Sequence, residues 1–282
     1  MPEGHTLHRL ALDLTHAFAG RPVRVSSPQG RFADEAALLD AGTLESAGAW
    51  GKHLFIAFAG ERVVHVHLGL YGSFAITADV ASVPAPVGQV RLRLVTADED
   101  RATYADLRGP TACTLMTPAE QSAVIARLGP DPLRADADPE RMFTRVRRSR
   151  APIGTLLMDQ SVLAGVGNVY RAEVLFRHRV HPLRPGNAVR RRTLEAIWED
   201  LRGLMRDGVR TGRIDTVRPE HTPEAMGRPP RRDDHGGEVY VYRRTGQPCL
   251  VCERPVRTEV LAARNLFWCA RCQPAYRPRA VQ

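Results

Sequence analysis

The first six residues, Met1-Pro2-Glu3-Gly4-His5-Thr6, combine residue types that can carry out covalent chemistry. Removal of Met1 would leave Pro2 as the terminus, with a secondary amine that can attack an electrophilic carbon and form an iminium. Glu3 follows at once and offers a carboxylate for proton transfer. The structural alternative is a simple helix start, since proline at the first helical position and acids in the first turn are both favoured there.

Lys52 is the only lysine in the chain, because the other 39 of the 40 Lys and Arg residues are arginine. An arginine side chain keeps its proton in a protein, whereas a lysine amine can shift its pKa and transfer a proton. A chemical step that needs a titratable cation would therefore resist replacement by arginine. Chance survival of one lysine is the alternative.

Two Cys-x-x-Cys pairs lie near the C-terminus, and 16 residues separate them. Four thiolates at this spacing suit tetrahedral coordination of zinc, and the residues between the pairs would form a hairpin. Because sulfur would fill all four positions, the predicted zinc is structural. Two disulfides are the alternative, which a reducing compartment disfavours. The predicted ligands are Cys249, Cys252, Cys269 and Cys272.

Two glycine-containing turns could contact a polyanion. His67-Leu68-Gly69-Leu70-Tyr71-Gly72 predicts a tight turn that presents Leu70 and Tyr71, either inserted between bases or buried in a hairpin. Further on, Gly165 and Gly167 precede an apolar-periodic helix, so backbone N–H groups would be available for a phosphate beside Asn168. Close packing of two helices is the other explanation for these two glycines.

Charge is divided unevenly along the 282 residues. Residues 1–125 carry 10 basic and 13 acidic side chains, and residues 126–282 carry 30 and 18. A basic second half favours a nucleic-acid partner, with a solvated arginine-rich surface as the alternative. No apolar run reaches membrane-spanning length and no signal peptide is recognisable, so we expect a cytoplasmic protein without membrane association. We also expect a monomer.

The pattern of apolar residues predicts an α+β multidomain protein. An amphipathic helix over residues 3–19 is followed by β-type runs at 53–59, 62–68, 73–77 and 89–96, which indicate a β-sandwich or barrel. Helices are predicted at 118–128, 139–148 and 187–209, and a mobile loop over 210–237. The expected domains are 1–125, 126–215 and 216–282.

The N-terminal motif, Gly51-Lys52-His53-Leu54, the Gly165 to Tyr170 turn and the four-cysteine finger with Arg264 occur in a characteristic order and spacing. In these features the whole chain resembles the formamidopyrimidine-DNA glycosylase / endonuclease VIII family. The resemblance implies an N-terminal β-sandwich with a flanking helix, a helix-two-turn-helix domain and a zinc-finger hairpin that together bind damaged DNA and flip out a nucleotide.

The resemblance also implies a role for each matching residue. Pro2 would be the Schiff-base nucleophile, Glu3 the general acid/base and Lys52 the proton donor in β-elimination. Asn168 and Arg264 would bind phosphates, and Arg264 would also serve δ-elimination. The implied activity is that of a bifunctional glycosylase and abasic-site lyase of base excision repair.

Departures from the family bear on the substrate. The endonuclease VIII branch usually has Gln-Leu-Tyr at the hairpin tip, and here Gly69 takes the Gln position before Leu70 and Tyr71. The arginine and phenylalanine that many formamidopyrimidine members use are only partly matched, by Arg108. We expect oxidised pyrimidines as substrates. The alternatives are an 8-oxoguanine/formamidopyrimidine glycosylase and a non-enzymatic zinc-ribbon protein that binds nucleic acid.

Overall fold

The computed structural model describes residues 2–97, 100–232 and 237–276, and the chain divides into two compact units. The first unit is Met1–Arg127 and the second is Leu128–Gln282. A further boundary near residue 215, which the sequence predicts, stays a prediction. Within the described ranges, no helix is both long and apolar enough to cross a membrane.

The first unit is a β-sandwich whose two antiparallel sheets share one strand. The first half of β1 pairs with β2 and its second half pairs with β6, so the order is β5-β7-β6-β1-β2-β3-β4-β8. The predicted β-sandwich is therefore confirmed. Its elements are α1 (Gly4–Phe18), β1 (Arg21–Ser26), α2 (Ala33–Leu39), β2 (Gly42–Trp50), β3 (His53–Phe58), β4 (Arg62–His67), β5 (Ser73–Val80), β6 (Val90–Ala97), β7 (Ala102–Arg108), β8 (Ala112–Met116) and α3 (Pro118–Ala126).

Helix α1 forms because its apolar residues recur at helical spacing. Leu7, Leu14 and Phe18 lie on one buried face, which packs across β2 and β3. The chain leaves the helix through Gly20, whose φ of +75° is in the region that favours glycine. The predicted first helix is thus present, shorter by one residue at each end.

The second unit has a helical core followed by a two-stranded hairpin. The central helix of this core is buried along almost its whole length, including Val169, Tyr170 and Phe176. The elements are α4 (Glu140–Arg147), α5 (Ile153–Leu156), α6 (Asn168–Arg177), α7 (Arg191–Thr211), α8 (Pro223–Met226), β9 (Arg257–Leu261) and β10 (Arg264–Trp268), with short 3-10 turns at Gly186–Ala188 and Pro219–His221.

Two turns between α5 and α6 are held together by backbone contacts with the segment after α3. The Gly129 N–H donates to the Gln160 carbonyl at 2.8 Å, and the Ala164 N–H donates to the Pro130 carbonyl at 3.1 Å. A Cβ on Gly129 would lie 2.5 Å from the Val162 backbone, so no larger residue fits there. This arrangement fixes where α6 begins.

Residues 210–237 differ from the mobile loop that the sequence predicts. The described part of this segment contains a 3-10 turn and α8, and Thr216 is fully buried. The Glu173 carboxylate of α6 accepts hydrogen bonds from the Thr216 hydroxyl and from the backbone N–H groups of residues 240–242. Residues 233–236 lie outside the described residues. The described part of the segment is therefore anchored to the helical core.

Candidate active site

The direction of α1 along the sandwich places its start beside the Lys52 turn. The Gly20 N–H donates to the Leu44 carbonyl at 2.8 Å, and the Thr15 hydroxyl accepts from the Ala47 N–H at 2.9 Å, so α1 runs antiparallel to β2. A helix rises about 1.5 Å per residue and a strand about 3.3 Å. About nine helical residues before Thr15 therefore cover the same distance as about four strand residues after Ala47. The start of α1 is thus level with the turn that contains Lys52.

Pro2 and Glu3 occupy the start of this helix. Glu3 is its N-cap residue, its carbonyl accepts the Thr6 N–H at 2.9 Å, and the residue is fully buried, whereas Pro2 is half-buried. Burial also lowers the pKa of neighbouring His5 to about 4. A carboxyl group shielded from water thus lies next to a proline that solvent can reach, as a proton-transfer group beside a nucleophile requires.

Lys52 lies in a two-residue turn between β2 and β3, next to three histidines. His53 pairs with His67 across the β3–β4 ladder, and His53 Nδ1 is 2.8 Å from His65 Nε2. Burial, followed by neighbouring histidines, lowers the pKa of His53 and of His65 to about 4. Burial, and then the charge of Lys52, lowers the pKa of His67. The imidazoles are therefore neutral at pH 7 and add no positive charge beside the lysine.

Leu70 and Tyr71 form the tip of the turn between β4 and β5. Leu70 is 41% exposed and Tyr71 is 91% exposed, so these are not the buried hairpin residues of the alternative interpretation. The Gly72 N–H closes the turn on the Leu68 carbonyl at 3.1 Å. Because β4 ends where β3 begins, this tip and the Lys52 turn emerge at the same end of the sheet. The first unit thus gathers at one end the candidate chemical and wedge residues that the sequence analysis identified in it.

Arg108, the partial match to the arginine of formamidopyrimidine enzymes, is engaged within the sheet. Its guanidinium donates to the Asp106 carboxylate at 2.8 Å and to the Val87 carbonyl at 3.1 Å. Asp106 is itself buried and also binds Arg93 at 2.6 Å. The Arg108 side chain is thereby held by a buried carboxylate.

In the second unit, Arg171 connects the start of α6 with the C-terminal hairpin. Asn168 is the first residue of α6, and its side-chain oxygen accepts a hydrogen bond from the Arg171 guanidinium. The same guanidinium donates to the Asn265 carbonyl at 2.9 Å and to the Gly154 carbonyl at 3.3 Å. Arg171 is a positioning residue that the sequence analysis did not single out, since two of its partners, Gly154 and Asn265, are 17 and 94 positions away.

Arg264 opens β10 and has an exposed side chain, directly before the Asn265 that contacts Arg171. The hairpin turn before it is made by Ala262 and Ala263, with φ values of 49° and 58°. Alanine is strained in that region, so packing of the hairpin must hold the turn. Asn168 and Arg264 are thus positioned within the same unit.

The four cysteines converge as the spacing predicts. Their sulfur atoms lie within 4.8 Å of one another, with 3.9 Å between Cys249 and Cys272 and 3.4 Å between Cys252 and Cys269. Tetrahedral zinc with Zn–S bonds of about 2.3 Å requires sulfur separations of about 3.8 Å. The residues therefore fit one structural zinc, which would hold the loops that carry β9 and β10.

Comparison with known proteins agrees with this arrangement. Three family models match: the formamidopyrimidine-DNA glycosylase N-terminal domain over residues 1–113, its H2TH domain over 128–219, and the zinc finger found in FPG and IleRS over 246–275. Endonuclease 8 1 of Mycobacterium tuberculosis is 54% identical, covering 97% of this chain and 100% of that protein. The chain belongs to the formamidopyrimidine-DNA glycosylase / endonuclease VIII family.

Other members of the formamidopyrimidine-DNA glycosylase / endonuclease VIII family are less similar in sequence. Probable endonuclease 8 2 of Streptomyces coelicolor is 34% identical, covering 99% of this chain and 96% of that protein. The structure of Lactococcus lactis Fpg in complex with DNA containing an abasic site superposes with a TM-score of 0.77 at 20% identity, covering 97% of this chain and 100% of that one. The fold shared by the family, with its four-cysteine finger, is therefore the fold of this protein.

Proposed function

We propose that this family member is a bifunctional DNA glycosylase and abasic-site lyase of base excision repair. The observation that carries the proposal is the half-buried Pro2 beside the fully buried Glu3, on a helix whose direction takes its start to the Lys52 turn. The named relatives, both endonuclease 8 proteins, support the same activity.

The chemistry begins at Pro2 after removal of Met1. The amine nitrogen forms a bond to C1′ of the damaged nucleotide, and the glycosidic bond breaks, with the base leaving with the electron pair and a proton. Glu3 serves as the general acid/base for these proton transfers. Loss of the amine proton gives a neutral ring-closed adduct, and cleavage of its C1′–O4′ bond, with O4′ taking up a proton, opens the sugar to an iminium that acidifies the C2′ protons. Base removal thereby prepares strand cleavage.

Strand cleavage then proceeds by elimination. Abstraction of a C2′ proton breaks the C3′–O bond with departure of the 3′ phosphate, and Lys52 donates a proton in this β-elimination. A second, δ-elimination removes the C4′ proton and breaks the C5′–O bond, with Arg264 assisting departure of the 5′ phosphate. Both roles require a cation at a leaving phosphate, but only Lys52 must also release a proton.

Asn168 and Arg264 are proposed to bind DNA phosphates. Asn168 is the first residue of α6, where the positive end of the helix dipole favours an anion. The excess of basic over acidic side chains in residues 126–282 attracts the DNA backbone. Zinc supplies no chemistry here; when bound it would keep the finger folded and Arg264 in place.

The proposed substrates are oxidised pyrimidines and abasic sites. A pyrimidine that has lost its aromaticity stacks weakly and leaves the helix at low cost, which suits a tip with only Leu70 and Tyr71 as large side chains. The same reasoning favours bubbles, forks and single strands over perfect duplex. We propose that the protein acts as a monomer on chromosomal DNA in the cytoplasm, with three functional parts at 1–125, 126–215 and 216–282.

Borohydride trapping on DNA with an abasic site tests the chemistry. We expect a covalent complex with wild-type protein, mass spectrometry showing DNA attached at Pro2, and much weaker trapping with Pro2→Gly, whose primary amine replaces the secondary amine of proline. Pro86→Gly is the matched control, because Pro86 is an exposed residue between β5 and β6. Wild-type trapping levels in Pro2→Gly, or a retained Met1 in the active protein, contradict the proposal, and DNA binding without any trapping favours the non-enzymatic alternative.

Single-turnover excision from matched oligonucleotides tests the substrate. We expect faster removal of 5-hydroxyuracil and thymine glycol than of 8-oxoguanine opposite cytosine. Faster removal of 8-oxoguanine than of both pyrimidine lesions would assign the protein to the 8-oxoguanine/formamidopyrimidine alternative instead.

A further inference from the structure

Thr111, in the turn between β7 and β8, lies against the exposed tip of residues 68–72. The β4–β8 ladder brings it there, since His67 pairs with Ala112 and the Thr111 N–H donates to the His67 carbonyl at 2.8 Å. A Cβ on Gly109 would lie 3.8 Å from the Tyr71 carbonyl oxygen, so the two turns are in van der Waals reach of each other. Thr111 is exposed, and its side chain is therefore part of the surface that the tip presents.

The Thr111 side chain occupies the space that a side chain on residue 69 would need. A Cβ built on Gly69 would overlap the Thr111 hydroxyl oxygen and lie 3.2 Å from the Thr111 Cβ. Gly69 also has a φ of +69°, which disfavours most side chains independently of space. The present position of the Thr111 side chain therefore requires a residue without a Cβ at position 69.

We propose that Thr111 is a DNA-contacting residue, which supplies the polar group of a wedge completed by Leu70 and Tyr71. This inference rests on the proposed function. The hydroxyl takes the place where the side chain of residue 69 would begin, so insertion of the tip into a duplex would carry it toward the base opposite the extruded nucleotide.

A hydroxyl has one donor and two acceptor positions and rotates freely, so it can pair with donor or acceptor groups on any base. The proposal therefore predicts contact with the opposite base and little discrimination among the four bases.

The test compares Thr111→Val with Thr114→Val, because valine keeps the shape of threonine and removes the hydroxyl. Thr114 lies on β8 opposite His65 and is also exposed, three residues away from the tip contact. Single-turnover excision of 5-hydroxyuracil is measured in duplex, opposite each of the four bases, and in single-stranded DNA.

We expect Thr111→Val to lower the duplex to single-strand rate ratio roughly fivefold to tenfold for every opposite base, which corresponds to one lost hydrogen bond. Thr114→Val should leave the ratio within twofold of wild type. A ratio within twofold in Thr111→Val, or an equal fall in Thr114→Val, overturns the proposal.

A thermal-unfolding cycle tests the shared space without relying on catalysis. Gly69→Asn is chosen because asparagine tolerates positive φ better than most residues. We expect Gly69→Asn alone to lower Tm and Thr111→Gly to restore part of the loss, so that the two substitutions are not additive. Strict additivity would show that Thr111 does not occupy the space of residue 69, and would overturn the proposal.

Failure of the proposed function has a different signature. Absence of borohydride trapping with wild-type protein on both single-stranded and duplex DNA overturns that function, and the role of Thr111 with it. Normal wild-type trapping together with an unchanged rate ratio in Thr111→Val overturns the role of Thr111 alone.

Discussion

The fully buried Glu173 carboxylate is expected to be a main determinant of the stability of the second unit. One of its oxygens accepts from the Thr216 hydroxyl at 2.6 Å and from the Tyr240 N–H at 2.7 Å, and the other accepts from the Val241 and Tyr242 N–H groups, both at 2.9 Å. In Glu173→Gln an amide NH₂ replaces one oxygen and cannot accept. If the NH₂ lies on the Thr216 side, the hydroxyl can accept from it and only the Tyr240 N–H loses its acceptor, whereas on the other side both the Val241 and Tyr242 N–H groups do.

Each buried donor left without an acceptor costs about 1–3 kcal/mol, so Glu173→Gln should lower the free energy of unfolding by about 1–6 kcal/mol, depending on whether one or two donors are lost. Total stabilities are about 5–15 kcal/mol, so this loss would be large. Residues 240–242 lead directly to the first zinc ligand, Cys249, so we also expect weaker binding of lesion-containing DNA.

Urea unfolding followed by tryptophan fluorescence measures the change. In a Trp50→Phe background the remaining tryptophans, Trp198 and Trp268, both lie in the second unit and report on it alone. The control is Glu199→Gln, at a surface carboxylate that accepts from Arg202 at 3.0 Å, where we expect less than about 0.5 kcal/mol. A difference below about 1 kcal/mol between the two variants would refute the reasoning.

Three further predictions concern the site and its support. Lys52→Arg should keep DNA affinity and slow strand cleavage roughly a hundredfold or more, because the charge remains and the proton donor is lost; an equal loss of affinity, measured by anisotropy, would make Lys52 a phosphate contact only. Cys252→Ser or chelation should weaken binding of lesion DNA at least about tenfold through loss of the finger; unchanged affinity after metal analysis confirms zinc loss would contradict this. Burial raises the pKa of Asp200, but hydrogen bonds from His178 and Arg177 outweigh it and bring this pKa from 3.8 to about 2. The stabilisation by the ionised carboxylate is therefore fully present above the unfolded-state pKa and is lost as pH falls through 2. After allowance for solvent screening, Asp200→Asn should lower the free energy of unfolding by about 1–2 kcal/mol at pH 7 and by less at pH 2.5. A difference independent of pH would be inconsistent with that pKa.

The sequence predicts elements well where an apolar period is strong and poorly where partners supply the stability. The first helix and strands β3 to β6 are found close to their predicted bounds. Strands β1 and β2 were missed, since β1 has only Val23 and Val25 buried and β2 is rich in small and polar residues. Their hydrogen bonds come from strands at other positions in the chain, which local periodicity does not record.

Residue types in the N-terminal motif and the cysteine pairs identify candidate chemistry because each type has few alternative uses at that spacing. What directs the start of α1 toward the Lys52 turn is different information. It comes from contacts such as Thr15 with Ala47, which are 32 residues apart in sequence and involve no unusual residue type. The contact between Gly69 and Thr111 likewise depends on the β4–β8 pairing. The sequence showed that residue 69 lacks a side chain, but it did not show that Thr111 occupies that space.

The link between the two candidate phosphate contacts in the second unit follows from one side chain. Arg171 donates to Asn168 at the start of α6 and to the carbonyl of Asn265, the residue after Arg264, although Asn265 is 94 positions away. A fully buried guanidinium keeps this geometry only if its acceptors stay in place, because an unpaired buried charge is very unfavourable. Folding of the finger therefore constrains Asn168 as well as Arg264, so the helix-two-turn-helix segment and the zinc-finger hairpin hold the two proposed phosphate contacts in one preorganised arrangement.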